Sequence, residues 1–407
     1  MKIALIRGPN LNPYEMQSYL PLARAHRLFG FAAPGAPFSE EGTEMEVRRL
    51  FSPAGLAEKA PLRLRRITHH LLARALGTTR TWMLGLERRL RGMEILHAAE
   101  THNGYSLQAL RAKRRWGGAL VITAWETIPF NFEGHPVSRL AKAKVRAGAD
   151  HFIAVTGRAR DCLQAEGVEA SRISVVPMGL DLERFCPGEP DPNLRASLGL
   201  DKQRPVVLFL GRLVPEKGVH DLLLAFHHLR LHFGLQPSLL MVGEGRERSR
   251  LAAQARRLKL EESFHLHPPL PYAKTPEIYR LADLFVLPSR PTRVWEEQFG
   301  MVLVEAMACG LPVVGTRSGA IPEVLGDAGL LVPPDSPFRL AEAIARLLRS
   351  PELRASLRAA GILRARQQFS RTRVSRRIEE IYQMVAEKAK LASTVSPEFS
   401  ALESETA

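Results

Sequence analysis

Two glutamates, Glu297 and Glu305, stand eight residues apart on either side of a predicted helix start. Phe299 and Gly300 lie between them, and residues 301–309 form an unbroken helix-forming run that begins with Met301. The first amides of a helix have no partner inside it and attract anions. One ligand could therefore contact both carboxylates and the amides between them. The pattern predicts a site for an anionic ligand that carries hydroxyls; the alternative is a chance pair of glutamates on a solvated helix.

Two other loops carry groups that suit the same ligand. They follow the apolar runs 206–210 and 238–242 and contain Gly211, Arg212, Lys217, Gly243 and Gly245. A guanidinium and an ammonium both neutralise a diphosphate, and one carboxylate can accept from the two neighbouring hydroxyls of a ribose. Because the carboxyl ends of parallel strands meet at one edge of a sheet, the three loops are expected to lie together. The set predicts a site for a sugar joined to a nucleoside through a diphosphate; for each loop alone, a solvated turn is the alternative.

The elements that must position these loops alternate between strands and helices in both halves of the chain. The alternation predicts an α/β fold with two doubly wound parallel sheets. A stretch rich in Pro, Gly and Asp near residues 187–201 suits a linker between two domains. The predicted domains are residues 1–185 and 186–370, followed by a C-terminal helix over 371–390 and a disordered tail over 391–407. Within the first domain, a helix is predicted over 15–28 and a loop over 30–44.

The charge of the chain calls for an anionic partner. Its formal net charge is +15, and residues 48–92 hold eleven Lys or Arg against two acids. Two amphipathic helices are predicted there, over 62–76 and 79–90, with arginines between apolar positions. Such a surface predicts docking on an anionic membrane, and a solvated arginine-rich face is the open alternative. No helix-turn-helix, zinc-ligand or aromatic ribonucleoprotein pattern is present, so no specific nucleic-acid partner is expected.

Cysteine usage and hydropathy indicate the cellular compartment of the protein. Cys162, Cys186 and Cys309 are an odd number without metal-ligand spacing, which fits a reducing cytosol. No window approaches eighteen apolar residues, and the N-terminus lacks the pattern of a signal peptide. No Asp-x-Asp metal cluster is evident. We therefore expect a cytoplasmic protein without a metal, peripheral on the inner face of the membrane if the basic section binds lipid.

The ordered set of motifs resembles family 4 retaining glycosyltransferases of the GT-B fold. The residues that carry the resemblance are Gly211-Arg212 with Glu216-Lys217-Gly218, Gly243-Glu244-Gly245, the run from Glu297 to Gly315, and Val175-Val176-Pro177-Met178-Gly179-Leu180-Asp181 with Phe185. The resemblance is close in the C-terminal half and loose in the N-terminal half. It implies two Rossmann-like domains that face each other across a cleft, and a C-terminal helix that crosses back to the first domain.

The resemblance also implies roles for individual residues. Arg212 and Lys217 would hold the diphosphate, Glu305 the ribose hydroxyls and Glu297 the hydroxyls of the transferred sugar, while Leu270 would contact the base through its backbone. The amides near Phe299, Gly300 and Met301 would assist. The implied reaction is a retaining transfer by front-side attack from a nucleotide-sugar such as a UDP- or GDP-hexose, with no cofactor. The implied acceptor is a saccharide or a lipid-linked saccharide.

The N-terminal half departs from the family pattern. Tyr14-Glu15 stands where the family commonly has a Gly-Gly pair, and Ala99 stands where it often has a histidine. Where the family often has Thr-x-His after the next strand, this chain has Thr123-Ala124-Trp125-Glu126. The acceptor side is therefore assigned to the residues that follow two predicted strands: Glu100, His102, Trp125 and Glu126. Trp125 is interpreted as a stacking platform for a sugar ring, or alternatively as packing between domains. His97 is interpreted as a core histidine.

Two rival functions remain open from the sequence. One is another enzyme of the same fold, a phosphorylase or a nucleotide-sugar epimerase. The other is a non-catalytic basic protein that binds membrane or nucleic acid. Residues 290–296 lengthen the loop before Glu297, and they are expected to influence which sugar is transferred.

Overall fold

The computed structural model describes residues 1–33, 45–53, 55 and 75–404, the last part (392–404) by its backbone alone. Its contacts divide the chain into two units. The first unit is Met1–Gly179 with Arg371–Ala407, and the second unit is Leu180–Ser370. The division lies close to the junction predicted near residue 185. Each unit is built on one parallel sheet, as the alternation of strands and helices predicts.

The first unit holds a seven-stranded sheet in the order β3-β2-β1-β4-β5-β6-β7, with every neighbouring pair parallel. Both faces of its central strands are covered, which is why β1, β4 and β5 read as near-continuous apolar runs. The strands are β1 Lys2–Gly8, β2 Arg27–Ala32, β3 Glu46–Arg49, β4 Ile95–Ala99, β5 Ala119–Ala124, β6 His151–Ala154 and β7 Ile173–Val175. The helices between them are α1 Pro13–Met16, α2 Leu86–Arg89, α3 Gly104–Trp116, α4 Pro136–Gly148 and α5 Gly157–Ala165.

The second unit holds a six-stranded sheet in the order β10-β9-β8-β11-β12-β13, also parallel throughout. Its strands are β8 Val206–Leu210, β9 Ser238–Val242, β10 Phe264–His267, β11 Leu284–Leu287, β12 Val313–Thr316 and β13 Gly329–Val332. Its helices are α6 Pro192–Ser197, α7 Val219–Phe233, α8 Arg248–Arg257, α9 Thr275–Arg280, α10 Met301–Ala308, α11 Ile321–Leu325, α12 Pro337–Arg349 and α13 Pro351–Gln368.

The last helix, α14 (Arg371–Ser404), belongs to the first unit. Its buried residues Val374, Ile378 and Tyr382 pack in one core cluster with Ile3 and Leu5 of β1. The helix therefore completes the core of a domain that begins at the other end of the chain. It also runs past Lys390, the predicted helix end, as far as Ser404; residues 405–407 lie outside the described part.

Two sequence predictions in the first unit are wrong. The helix predicted over residues 15–28 is replaced by α1, a 3₁₀ turn at Leu20–Arg24 and strand β2, because Arg27–Ala32 pairs with β1. The helix predicted over 79–90 breaks into a 3₁₀ turn at Gly77–Thr81 and α2. Gly85, between them, has φ 74°. Residues 54 and 56–74 of the basic section, which include most of the predicted helix 62–76, lie outside the described residues.

In the described part of the chain, none of the helices is both long and apolar enough to cross a membrane. The same residues contain no group of three or more His, Cys, Asp or Glu side chains that could hold a metal ion.

Candidate active site

The loops after β8 and β11 meet at the point where the strand order of the second unit reverses. These two strands are neighbours in the sheet although β9 and β10 come between them in the chain. Ligands of open parallel sheets bind at the carboxyl ends of the strands at such a reversal. The loop after β8 carries Lys217, and the loop after β11 carries Glu297. The topology therefore puts both predicted residues at the position expected for a binding crevice.

Two glycines allow the loops to approach each other closely. A Cβ on Gly218 would lie 1.9 Å from the Pro288 carbonyl oxygen, and φ at Gly218 is 65°. A Cβ on Gly243 would lie 1.9 Å from the Gly211 carbonyl oxygen. Any larger residue would force these backbones apart. A Cβ on Gly245 would likewise lie 2.2 Å from the Leu213 carbonyl oxygen, so packing is sufficient to explain Gly243 and Gly245. The predicted contacts of Gly211, Gly243 and Gly245 with a donor stay predictions.

Lys217 and Glu297 form a buried ion pair. The Lys217 Nζ donates to Glu297 Oε2 over 2.6 Å, and the two side chains are 13% and 9% exposed. Ser289 Oγ donates to the same carboxylate oxygen over 2.7 Å. The Thr316 hydroxyl in turn donates to the Ser289 carbonyl, and the Ala320 amide donates to the Glu297 carbonyl over 2.8 Å. The Glu297 carboxylate is thus held from two loops and its backbone from a third, and the ammonium beside it is positioned to meet a second anion.

The loop that precedes Glu297 closes over this ion pair with an aromatic ring. The Lys217 Nζ lies 5.2 Å from the centroid of the Trp295 ring, which is a cation–π contact. Thr292 N donates to the Trp295 carbonyl over 2.7 Å, so the loop is a tight turn. Its base is fixed where Arg290 pairs with Asp335, at 2.8 Å. The loop expected to influence sugar choice therefore places Trp295 beside the two central charges.

Glu305 lies on α10, the helix Met301–Ala308, which starts directly after Gly300 as predicted from the sequence. The residue is 3% exposed, and its carboxylate accepts from two tyrosines: Tyr272 Oη at 2.9 Å and Tyr279 Oη at 2.7 Å. Burial raises the pKa of Glu305, and the two hydroxyls act against that rise. A carboxylate oxygen can accept more than one hydrogen bond, so Glu305 keeps capacity for ligand hydroxyls. Leu270 lies two residues before Tyr272, in the same turn.

The structure does not gather every predicted donor residue into one contact network. Arg212 is exposed, and its side chain has no hydrogen-bond or ion-pair partner among the described residues of the second unit. Phe299 is buried edge-on against Phe369, with ring centroids 5.9 Å apart, and so is part of the core. Met301 is half-buried at the first turn of α10. The roles predicted for these residues toward a donor remain predictions.

On the first unit, Glu100, Trp125 and Glu126 are linked through one carboxylate. Glu100 Oε1 accepts from the amides of Trp125 and Glu126, at 2.8 and 3.1 Å. Glu100 has φ 62°, an unfavourable conformation for a residue other than glycine. Burial raises its pKa to about 8, so a proton stays on this carboxyl over much of the neutral range. The Glu126 carboxylate instead accepts from the amides of Thr127 and Ile128.

His102 lies beside Glu100 in the same unit. Its Nδ1 is 3.8 Å from Glu100 Oε2, and its ring stacks on Phe132 with centroids 4.2 Å apart. Burial lowers the pKa of His102 to about 3, so the ring is neutral. The four residues assigned to the acceptor side therefore divide into a cluster around Glu100 and a histidine on an aromatic ring.

A buried polar network accounts for the departure at Tyr14-Glu15. Arg7, at the end of β1, is fully buried and pairs with Glu15. It also donates to Tyr19 Oη at 3.0 Å and to the His97 carbonyl at 3.0 Å. His97 is itself fully buried, and burial, followed by the Arg7 charge, lowers its pKa well below the usual value. Glu15 therefore serves as the counter-ion of Arg7, and His97 lies in the core of the unit.

Sequence reasoning missed the residues that hold the predicted carboxylates. Ser289 stands next to the predicted strand end, and Tyr272 stands next to the Pro-Leu-Pro turn that contains Leu270. Both positions are loop residues beside predicted ligands, which is the signal that could have found them. Tyr279 offered no such signal, since it lies on a helix as an ordinary core residue.

Two family models match the chain. Glycosyltransferase Family 4 matches residues 23–184, and Glycosyl transferases group 1 matches residues 190–364. The D-inositol 3-phosphate glycosyltransferase of Frankia alni is 34% identical over 286 residues, which are 65% of this chain and 69% of the relative. The chain belongs to glycosyltransferase family 4. A second family member, the D-inositol 3-phosphate glycosyltransferase of Segniliparus rotundus, is 36% identical over 239 residues. That match covers 56% of this chain, which spans only 51% of the relative.

The fold agrees with this family. A solved structure of HepE from Anabaena in complex with UDP-glucose superposes with a TM-score of 0.73 at 21% identity, over 94% of this chain and 100% of that chain. This family 4 glycosyltransferase therefore has two parallel-sheet α/β domains of the GT-B fold, which confirms the predicted fold class.

Proposed function

We propose that the protein is a retaining hexosyltransferase that moves a hexose from a nucleotide diphosphate sugar to a saccharide or lipid-linked acceptor. The observation that carries the proposal is the buried pair of Lys217 and Glu297 at the strand-order reversal, with the start of α10 beside it. The pair supplies a cation for a diphosphate and a carboxylate for sugar hydroxyls at one place. The UDP-glucose bound in the HepE structure supports a donor of this class.

In the proposed reaction the bond from the sugar's anomeric carbon to the diphosphate oxygen breaks. The acceptor hydroxyl bonds to that carbon on the same face, and its proton passes to the departing diphosphate. Lys217 and Arg212 neutralise the charge that develops on the leaving group. Glu297 holds the sugar hydroxyls, Glu305 holds the ribose hydroxyls, and the amides at the start of α10 face the diphosphate. No cofactor is needed for these steps.

A cytoplasmic location and a peripheral contact with anionic membrane complete the proposal. The net charge of +15 supports attraction to an acidic surface. Sedimentation at low salt with vesicles of phosphatidylcholine, with and without phosphatidylglycerol, tests this contact separately. If the protein stays in the supernatant with both, the membrane part of the proposal is wrong.

The reaction itself is tested in two stages. A thermal-shift screen with UDP, GDP and ADP and their hexose conjugates identifies the donor, because a ligand that binds only the folded state raises the melting temperature. Transfer from that donor to a panel of saccharides and a lipid-linked sugar is then followed, and the anomeric configuration of the product is read by NMR. Product with inverted configuration contradicts the retaining mechanism. If the donor is converted to an epimer without any acceptor, the protein is an epimerase instead. If the reaction requires free phosphate in place of a saccharide, it is a phosphorylase.

A further inference from the structure

The first unit contains a cavity that the donor chemistry does not use. Its volume is about 170 Å³, and its walls come from the 3₁₀ turn at Gly77–Thr81, the residues after β4, and the segment that leads into α4. The walls include Arg80, His102, Phe132 and Ser138. Such a space is many times what one water molecule occupies, so it can take a group the size of a phosphate or a carboxylate.

Arg80 supplies a cation to the wall of this cavity. Its side chain is half-buried and has no hydrogen-bond or ion-pair partner among the described residues of the first unit. Burial lowers the pKa of Arg80, because it disfavours the charged form. Guanidinium groups removed from water are normally matched by an anion, and Arg presents a fork of donors that suits phosphate or carboxylate. An anionic ligand in the cavity would give the Arg80 guanidinium such a counter-ion.

Most other polar groups around the cavity already have partners. Thr78 Oγ1 donates to the His102 carbonyl over 2.9 Å, and the Thr78 amide donates to Ser138 Oγ over 3.0 Å. The Thr81 hydroxyl accepts from the Gly104 amide over 2.7 Å. These bonds tie the turn that carries Arg80 to the start of α3 and to α4. The arginine is therefore presented on a rigid support, as a binding site requires.

Phe132 gives the cavity an aromatic wall. It stacks on His102 but is still 45% exposed, and it has φ 61°, as does the neighbouring Phe130. A positive φ in a bulky residue is strained, and strain of this kind collects at ligand sites. An exposed aromatic ring held in a strained conformation is well suited to stack against a sugar ring.

A buried charge cluster maintains that strained loop. Lys142 is 1% exposed, and its Nζ donates to the Asn131 carbonyl and to Glu166 Oε1, both over 2.8 Å. Glu166 Oε1 also accepts from the Phe130 amide over 2.8 Å. Arg146 bridges Glu166 and Glu133, at 3.0 and 2.8 Å. The loop conformation is thus fixed by ionic contacts from α4 before any ligand arrives.

We propose that this cavity binds an anionic group, a phosphate or a carboxylate, of a ring-shaped acceptor, with Arg80 pairing with the anion and Phe132 packing against the ring. The inference rests on the proposed function, because it names the acceptor class of that transfer. The anion could belong to a free sugar phosphate or to the phosphate of a lipid-linked sugar, and both present the same chemistry to Arg80.

The test is calorimetric titration of glucose 6-phosphate, with glucose as the uncharged match, into protein saturated with UDP. The expected result is that glucose 6-phosphate binds at least tenfold tighter than glucose. Arg80→Ala should remove that difference, and Arg80→Lys should restore part of it. Phe132→Ala should weaken binding of both sugars. The control is Arg114→Ala, an exposed arginine at the other end of α3, which should change nothing.

A second arm separates the two sources. Vesicles of phosphatidylcholine with phosphatidic acid replace glucose 6-phosphate, and sedimentation that depends on Arg80 assigns the site to a lipid phosphate. If Arg80→Ala behaves as Arg114→Ala does with both probes, the proposal is overturned. It is also overturned if glucose 6-phosphate binds only when UDP is absent, since it then occupies the donor site. Stabilisation by UDP, recorded for every variant, reports on the proposed function independently and shows that each variant is folded.

Discussion

The Lys217 ammonium and the Glu297 carboxylate are counter-ions to each other across 2.6 Å. In the proposed function, a diphosphate that binds Lys217 would compete with Glu297 for the ammonium, and sugar hydroxyls that bind Glu297 would release part of that competition. The ion pair would then couple recognition of the two ends of one donor. This coupling follows from the pairing itself and does not require any movement of the backbone.

Replacing either partner should abolish transfer while the fold is kept. Lys217→Ala and Glu297→Ala are each expected to lower kcat by about 10²–10³-fold, the usual effect of removing one preorganised electrostatic group. The double variant should be little worse than either single one, because residues that act as a unit are not additive. Steady-state kinetics with the identified donor measure all three.

Glu296→Ala is the matched control, since Glu296 is the neighbouring carboxylate of the same loop and is half-buried. It should retain most of the activity. Wild-type transfer by Glu297→Ala, or loss of transfer in Glu296→Ala alone, would show that the carboxylate was assigned to the wrong residue.

The two tyrosines on Glu305 should differ in their effect on stability. Tyr279 is fully buried, so Tyr279→Phe removes the hydrogen-bond donor from a carboxylate oxygen that water cannot reach. This loss should lower the free energy of unfolding by about 1.5–3 kcal/mol. Tyr272 is half-buried, and water can take the place of its hydroxyl, so Tyr272→Phe should cost less. Urea unfolding of both variants measures the difference, and an equal or reversed order would contradict this account.

Removing Glu15 should destabilise the first unit strongly. Glu15→Ala leaves the fully buried Arg7 without its carboxylate, which is expected to cost about 3–5 kcal/mol. The pair Arg7→Met with Glu15→Leu should cost less than Glu15→Ala alone, because it removes both charges. Glu46→Ala, at the exposed pair with Arg48, is the control and should cost under about 1 kcal/mol. Denaturant unfolding compares the three, and a small effect of Glu15→Ala would show that Arg7 is solvated.

The stability that Glu100 contributes should fall as the pH rises. Burial raises its pKa to about 8 from a usual 4.5, so the folded protein holds a proton that the unfolded chain releases between these values. The contribution is complete below about pH 4.5 and is lost as the pH approaches 8, with a slope of at most about 1.4 kcal/mol per pH unit. The measurement is the unfolding free energy of the wild type minus that of Glu100→Gln across pH 4–9. A flat difference would show that folding does not raise the pKa of Glu100.

The strands that were predicted best are those whose sequence has one interpretation. Val206–Leu210 and Ser238–Val242 are short apolar runs bounded by turn residues, and the structure has both strands with the predicted bounds. The strand Arg27–Ala32 was missed because the spacing of its apolar residues fits both a strand and the end of a helix. Only its pairing with β1 shows that it is a strand. Phe264–His267 was missed because alternating histidines hide its apolar pattern.

In the candidate site too, some features could be predicted from the sequence and others depend on tertiary contacts. The motif spacing predicted the start of the helix at Met301 and the loops that carry Lys217 and Glu297, because strand ends of a parallel sheet share an edge. It could not predict that Lys217 and Glu297 pair with each other, since a pairing distance depends on loop conformations. Tyr279, an ordinary helix residue by its sequence, likewise became visible only through its contact with Glu305.

The place of α14 has a consequence for synthesis of the chain. Residues 180–370 are complete before Val374, Ile378 and Tyr382 leave the ribosome, yet those three side chains belong to the core of the first unit. The second unit, whose ends are joined by a hydrogen bond from Leu180 N to Phe369 O at 2.6 Å, can therefore finish folding first. The domain that is translated first is the last to be completed.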